Sequence, residues 1–321
     1  MIELMNGARS ILEVCKAVKP GEDVLIIADN EGEPLWLGQI VMNVVNSMGA
    51  EPVLIVINPP EFSGQEPPES VAVAMKSADA IFRLTNRTAQ VHTTARKEAT
   101  AAGARYHPWT NVLLDELKKG VSAADVLSIK ERSEDLAGRL TQANMARVTS
   151  PAGTDITMSL ASREGLALHS MSPVVAGLPD YAEAAIAPLE GTAEGIIVGD
   201  LSIVQWGYIF REPLRCAVKA GKVQDISGGK QDVEKLRKIM STYESANNIA
   251  ELGIGTSHIV PLPMLGIRRD AARIGTAHIG MGRNNDIGGT VWSHMHLDTL
   301  MDGANVELDG KPVLKDGALL I

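Results

Sequence analysis

A chain of 321 residues exceeds what one small core needs, and its 45% hydrophobic content fits a folded globular protein, not a disordered or fibrous one. The net charge of −9 argues against nucleic acid as a general partner, because phosphate binding needs clustered Lys and Arg. Cys15 and Cys216 are far apart without paired spacing, which argues against a thiolate metal site and implies buried thiols in a reducing compartment.

The first residues, Met1-Ile2-Glu3-Leu4-Met5-Asn6, lack a basic region followed by an apolar stretch, and no run approaches the roughly 18 apolar residues of a membrane span. A cytoplasmic protein without a membrane partner is expected. Val24-Leu25-Ile26-Ile27 follows the turn Lys19-Pro20-Gly21 and predicts a buried strand. Residues 34–48 have helical spacing in Leu37, Ile40, Val41, Val44 and Val45. Residues 52–57 predict a second strand, 71–77 a helix, 80–84 a third strand and 88–102 a helix. This rhythm implies an α/β domain over 1–125, with a parallel sheet and helices on both faces. Its first strand leads into Ala28-Asp29-Asn30-Glu31-Gly32, so the glycine fingerprint of a nucleotide site is absent.

A charged helix over 126–145, with Leu127, Ile129, Leu136 and Leu140 along one side, is expected to connect the halves. Beyond it, residues 147–149, 155–158, 195–198 and 214–218 are short strand signals separated by Gly and Pro, with one helix over 231–243. Residues 305–313 form a hairpin candidate around Asp309-Gly310. The expectation for 146–321 is an α+β domain rich in antiparallel strands, which carries the chemistry.

Glu251, His278, His296 and Asp298 each sit inside an apolar or Gly-rich run, where a carboxylate or imidazole is expensive unless paired or bound to a metal. On a strand, His294, His296 and Asp298 would share one face. Singly, each has an ordinary explanation as a satisfied core residue or turn cap. Together, in a chain with seven histidines, they predict a carboxylate–imidazole metal centre. A Ser293–His294 nucleophile pair is disfavoured, because no GxSxG elbow is present and adjacent strand residues face opposite ways. Arg268 and Arg269 are candidates for a substrate carboxylate, against a solvated pair near a helix start. His258 reads as a loop residue, His92 and Arg96 as a helix face, and Trp206 and Tyr208 as one strand face in core packing.

The C-terminal half resembles the aminopeptidase T-type (M29) metallopeptidases. The likeness runs through Leu178-Pro179-Asp180-Tyr181-Ala182-Glu183-Ala184-Ala185-Ile186, residues 195–202, 251–256 and 274–282, and His296-Leu297-Asp298. The resemblance implies that Glu183, Glu251, His278, His296 and Asp298 bind two divalent cations (zinc, cobalt or manganese) and that Glu183 and Glu251 serve catalysis. Glu183 enters only through the resemblance; by itself it reads as a surface carboxylate. Members carry a Tyr seven positions after the ligand His; here that position is Asn285, a departure at a catalytic position. The implied activity is hydrolysis of C–N bonds in small peptides or amides by metal-activated water, in a homodimer enclosing the site. The apolar end, Gly317-Ala318-Leu319-Leu320-Ile321, agrees with a partner subunit. A branch of the same superfamily is similar to ring-cleaving 2,5-dihydroxypyridine dioxygenases, which use one non-haem iron and have His where this chain has Glu251. That branch, or hydrolysis of a small cyclic amide, is the alternative activity.

Overall fold

The computed structural model describes residues 1–62, 64–173 and 175–321. Two compact units emerge, one of residues 1–130 with 169–179, the other of residues 131–168 with 180–321.

The first unit holds a four-stranded sheet in the order Glu51–Ile57, Asp23–Asp29, Ala80–Thr85, Arg105–Thr110, with every pair parallel. Side chains alternate along the first strand: Val24, Ile26 and Ala28 enter the core on one face, and Leu25 and Ile27 the core on the other. Helices Gly32–Ser47, Glu69–Ser77 and Thr94–Ala101 connect the strands as expected. The helix expected over 88–102 begins only at Thr94. Thr93 accepts a hydrogen bond from Arg96 N at 3.2 Å and caps it, and Gln90 takes a positive φ of 54° that a helix cannot contain. The helix Ile2–Val14 and the strand Arg105–Thr110 have no counterpart in the sequence expectation. At the end of the first strand Asp29 accepts from Arg83 Nη2 at 2.5 Å and Thr85 Oγ1 at 2.6 Å, so its buried carboxylate is satisfied within the sheet.

The second unit pairs two antiparallel sheets. One runs Ser202–Ile203, His296–Met301, Ala277–Gly282, Ile249–Gly255, Glu183–Ile186, Leu166–Leu168. The other has eight strands, from Lys222–Ser227 at one edge to Ala318–Leu319 at the other. Their inner faces share one core: Ala184, Ile186, Leu252, Ile254, Ile279, Met281 and Leu297 from the first sheet, with Val148, Ile156, Met158, Ile197 and Leu214 from the second. Asp309 and Gly310 make the hairpin turn with φ of 49° and 77°, which a tight two-residue connection requires.

The helix expected over 126–145 spans Ala123–Gln142, and it buries Val126, Ile129, Ser133, Leu136 and Leu140. Leu127 lies off that stripe and is 49% exposed, contrary to expectation. Trp206 and Tyr208 do not share a strand face either. Val204–Trp206 is a 3₁₀ turn closed by left-handed Gly207, and the two rings stack at 6.1 Å beneath Lys235. No helix among the described residues is long and apolar enough to cross a membrane.

Candidate metal centre

Period-two alternation decides which side chains of the six-stranded sheet meet. Leu252, Ile254, Ile279 and Met281 fill the core, so Glu251, His278, His296, Asp298 and Glu183 occupy the opposite face. Directly across the ladder from each stands a glycine. Glu183 faces Gly255, Glu251 and Asp298 face Gly280, His278 faces Gly253, and His296 faces Gly282. A Cβ on Gly253 would lie 2.1 Å from His278 Nε2, and one on Gly280 would lie 2.7 Å from Glu251 Cβ and 3.2 Å from His296 Nε2. The bare backbone lets the polar side chains lie down over the sheet and converge.

They form two overlapping groups, Glu183–Glu251–His278 and Glu251–His296–Asp298, each with donor atoms within 4.8 Å of one another. Glu251 belongs to both. Its Oε2 is 2.8 Å from His296 Nε2, and its Oε1 is 3.8 Å from His278 Nε2. Glu183 Oε2 is 3.5 Å from His278 Nε2, and Asp298 Oδ1 is 3.0 Å from His296 Nε2. All five residues are buried, between 2% and 6% exposed.

Surrounding groups orient them. His296 Nδ1 donates to the Arg283 carbonyl at 2.7 Å, which leaves Nε2 as the lone-pair nitrogen of the neutral ring. Gln205 grips Asp298 at both ends: Nε2 donates to Oδ2 at 2.6 Å, and Oε1 accepts from Asp298 N at 2.9 Å. The Tyr181 hydroxyl donates to Glu183 Oε1 at 2.8 Å and accepts from Arg268 Nη2 at 3.0 Å.

Burial and mutual charge set the protonation. Burial pushes Glu183 up. Burial alone would raise Glu251 too, but the neighbouring imidazoles of His278 and His296 bring it down to about 2. Against the cost of burial, the nearby carboxylates of Glu183 and Glu251 raise His278 to about 9. His296 is likewise held well above its ordinary value by Asp298 and Glu251. The carboxylates thus draw positive charge into this space, and metal ions would take over that charge and release the protons. Glu183 Oε2 and Asp298 Oδ1 are buried with only an imidazole nitrogen facing them, at 3.5 Å and 3.0 Å, so a metal ion could take the place of the imidazole protons there. The donor set of oxygens and imidazole nitrogens without sulfur fits a divalent metal.

The five side chains marked as ligands therefore lie together. His294 does not join them. The strand begins only at His296, because Ser293 Oγ donates to Glu244 O at 2.7 Å and accepts from Met295 N at 3.3 Å, holding the chain outside the ladder. The His294 ring instead packs 4.5 Å from Trp292 and 5.9 Å from Tyr243. Asn285 Oδ1 accepts from Arg283 Nε at 2.9 Å, so it bears on the residue whose carbonyl holds His296. Gln205 and Tyr181 have no place in the sequence expectation. Gln205 is 93 residues from Asp298 and has no local signal, whereas Tyr181 lies two residues before Glu183, in the same short stretch of sequence.

A family model for 2,5-dihydroxypyridine 5,6-dioxygenase matches residues 3–321. Among solved structures, the chain is similar to a 2,5-dihydroxypyridine dioxygenase from Pseudomonas putida KT2440, with a TM-score of 0.75 and 17% identity over 99% of this chain and 96% of that one. It is similar as well to wild-type AmpT from Thermus thermophilus, with a TM-score of 0.72 and 16% identity over 99% of both chains. At these identities the two structures share the fold with this chain. No curated protein sequence matches significantly.

Proposed function

The chain belongs to the 2,5-dihydroxypyridine 5,6-dioxygenase family, and within that metal-dependent superfamily we propose that it is a two-metal hydrolase of C–N bonds in small peptides or amides. The observation that supports this most is the position of Glu251, whose two oxygens face two different imidazoles. A carboxylate shared in this way suits a bridge between two cations (zinc, cobalt or manganese), with Glu183 and His278 completing one side and His296 and Asp298 the other. Two such ions would polarise a carbonyl and bring the pKa of a shared water toward neutrality. The protein's part is to hold that arrangement rigid. The Arg283 carbonyl sets the His296 ring, Gln205 sets Asp298, and the Tyr181 phenol sets Glu183. A carboxylate of the cluster, Glu183 or Glu251, would take the proton of the attacking water and pass it to the leaving amine.

The family match favours a second activity, ring cleavage of a hydroxylated pyridine at one ferrous ion. Glu251, His296 and Asp298 would then face the iron, with a carboxylate where those dioxygenases have histidine. Asn285 in place of the peptidase Tyr agrees with that activity or with a small cyclic amide as substrate. Metal analysis of protein purified without chelator separates the two. Two ions per chain and turnover without oxygen support the hydrolase. One oxygen-sensitive iron with oxygen uptake on a hydroxypyridine overturns it.

A further inference from the structure

One cation stands beside the carboxylate cluster, and the protein leaves most of its donors unused. Arg268 lies with its guanidinium carbon 4.7 Å from the centre of the Tyr181 ring, and its Nη2 donates to the Tyr181 hydroxyl at 3.0 Å. That hydroxyl donates onward to Glu183 Oε1 at 2.8 Å, which places the guanidinium two hydrogen bonds from the cluster. Among the described residues no carboxylate forms an ion pair with Arg268, although Glu183 and Asp298 both feel its charge. The side chain is partly buried, and none of its nitrogens is among the fully buried donors that lack a partner, so the remaining edge of the fork can be reached.

The backbone before Arg268 is held firmly. Asp270 Oδ2 accepts from three successive N–H groups, Leu265 at 2.8 Å, Gly266 at 2.6 Å and Ile267 at 3.1 Å. Contact with the Tyr181 ring and the hydrogen bond to its hydroxyl then orient the guanidinium. A planar cation oriented in advance, with donors free, matches a carboxylate in a two-point contact. It repels an ammonium. The charge balance points the same way: two divalent ions would be offset by the three carboxylates of the cluster and the hydroxide of the proposed reaction, which leaves the charge of Arg268 for the substrate to meet.

We infer that the substrate is a small amide bearing a carboxylate near the scissile bond, and that Arg268 binds this carboxylate. This rests on the cluster being the reaction centre and narrows the hydrolase activity to amide acids, away from peptides with a free amino terminus. Tyr181 is the positioning residue for the arginine.

Calorimetry on the metal-loaded protein tests this with benzoate and succinate, their uncharged counterparts benzamide and succinamide, and the cationic leucinamide. The wild type should bind the carboxylates at least about ten-fold more tightly than the amides, the scale of a charge-assisted hydrogen bond. Arg268→Gln should weaken carboxylate binding about ten-fold and leave the amides within about two-fold, while Arg268→Lys should restore part of the loss. Tyr181→Phe keeps the ring but loses the hydroxyl and should weaken carboxylate binding by roughly 3- to 10-fold, a second route if Arg268→Gln does not fold. Metal content is measured in every sample. Equal loading in wild type and variants assigns the lost affinity to the arginine, since ions that also attract carboxylates are then present in both. Unchanged carboxylate affinity in Arg268→Gln, or tighter binding of leucinamide than of either carboxylate, overturns the proposal. Absence of metal throughout overturns the two-metal hydrolase, while the arginine comparison keeps its own outcome.

Discussion

Gly253 stands directly across the strand ladder from His278, and a Cβ built on it would lie 2.1 Å from His278 Nε2. The atom in the way belongs to a side chain that can swing, so Gly253→Ala should spare the fold and displace the imidazole. A shift of about 1 Å at a reacting centre typically costs on the order of 100-fold in rate. The expected outcome is an unchanged circular dichroism spectrum, loss of one metal ion per chain and turnover lowered by at least about that factor. Full metal content with normal turnover would show that the His278 ring does not need the bare backbone.

Glu251 is the side chain common to both groups of the cluster. Glu251→Ala should therefore lose at least one ion and nearly all activity while remaining folded, because the two imidazoles no longer share an anion. Mass spectrometric metal analysis beside a steady-state assay checks it, and unchanged metal content and turnover would remove Glu251 from the centre.

Gln205 never touches the proposed ions but holds Asp298 by its side chain at 2.6 Å and its backbone N–H at 2.9 Å. Gln205→Ala should weaken metal affinity by roughly 10- to 100-fold, the usual effect of removing an outer partner of a ligand. Competition against a chelator of known affinity measures it. An unchanged midpoint would mean that Asp298 is placed by the sheet alone.

Asn285 separates the two enzyme activities. An oxyanion donor is worth about 3 to 4 kcal/mol of barrier, so in a peptidase that has lost its phenol Asn285→Tyr should maintain or raise leucyl-p-nitroanilide hydrolysis. A pocket rebuilt for a small ring or amide should instead be blocked by Tyr, losing its native reaction on a hydroxypyridine and lactam panel. No leucyl activity in either form, with metal loaded, excludes aminopeptidase and leaves the metal site standing.

His107 offers a test of acid stability away from the metal centre. Burial, and secondarily the charge of Arg105, lower it to about 3, while its ring stacks on Phe82 at 4.6 Å and Nδ1 donates to Ala176 O at 3.2 Å. A depressed folded pKa means that the unfolded chain binds the proton first. The stability tied to the neutral ring is thus fully present above the unfolded value of about 6.5 and is lost as pH falls toward about 3. In that window the wild type should lose up to about 1.4 kcal/mol per pH unit more than His107→Gln. Urea unfolding of both proteins between neutrality and moderate acid checks the slope. Parallel curves would show that His107 does not titrate on unfolding.

The sequence alone determined the local features: the βαβ rhythm, the Asp309-Gly310 hairpin and the unusual setting of Glu251, His278, His296 and Asp298. These are legible because period and turn chemistry act over a few residues. Glu183 was reachable only by resemblance, since a lone carboxylate in a Pro- and Ala-rich stretch carries no periodic signal. The sequence puts His294 on the same face because alternation is carried two residues ahead of His296, where the strand begins and before which Ser293 holds the chain off the ladder. What only the tertiary structure decided is which residues touch. Strand register sets a glycine opposite each polar side chain, Gln205 reaches Asp298 across 93 residues, and Arg268 settles on Tyr181. Such contacts depend on long-range pairing of strands and loops, whose geometry is absent from any short window of sequence.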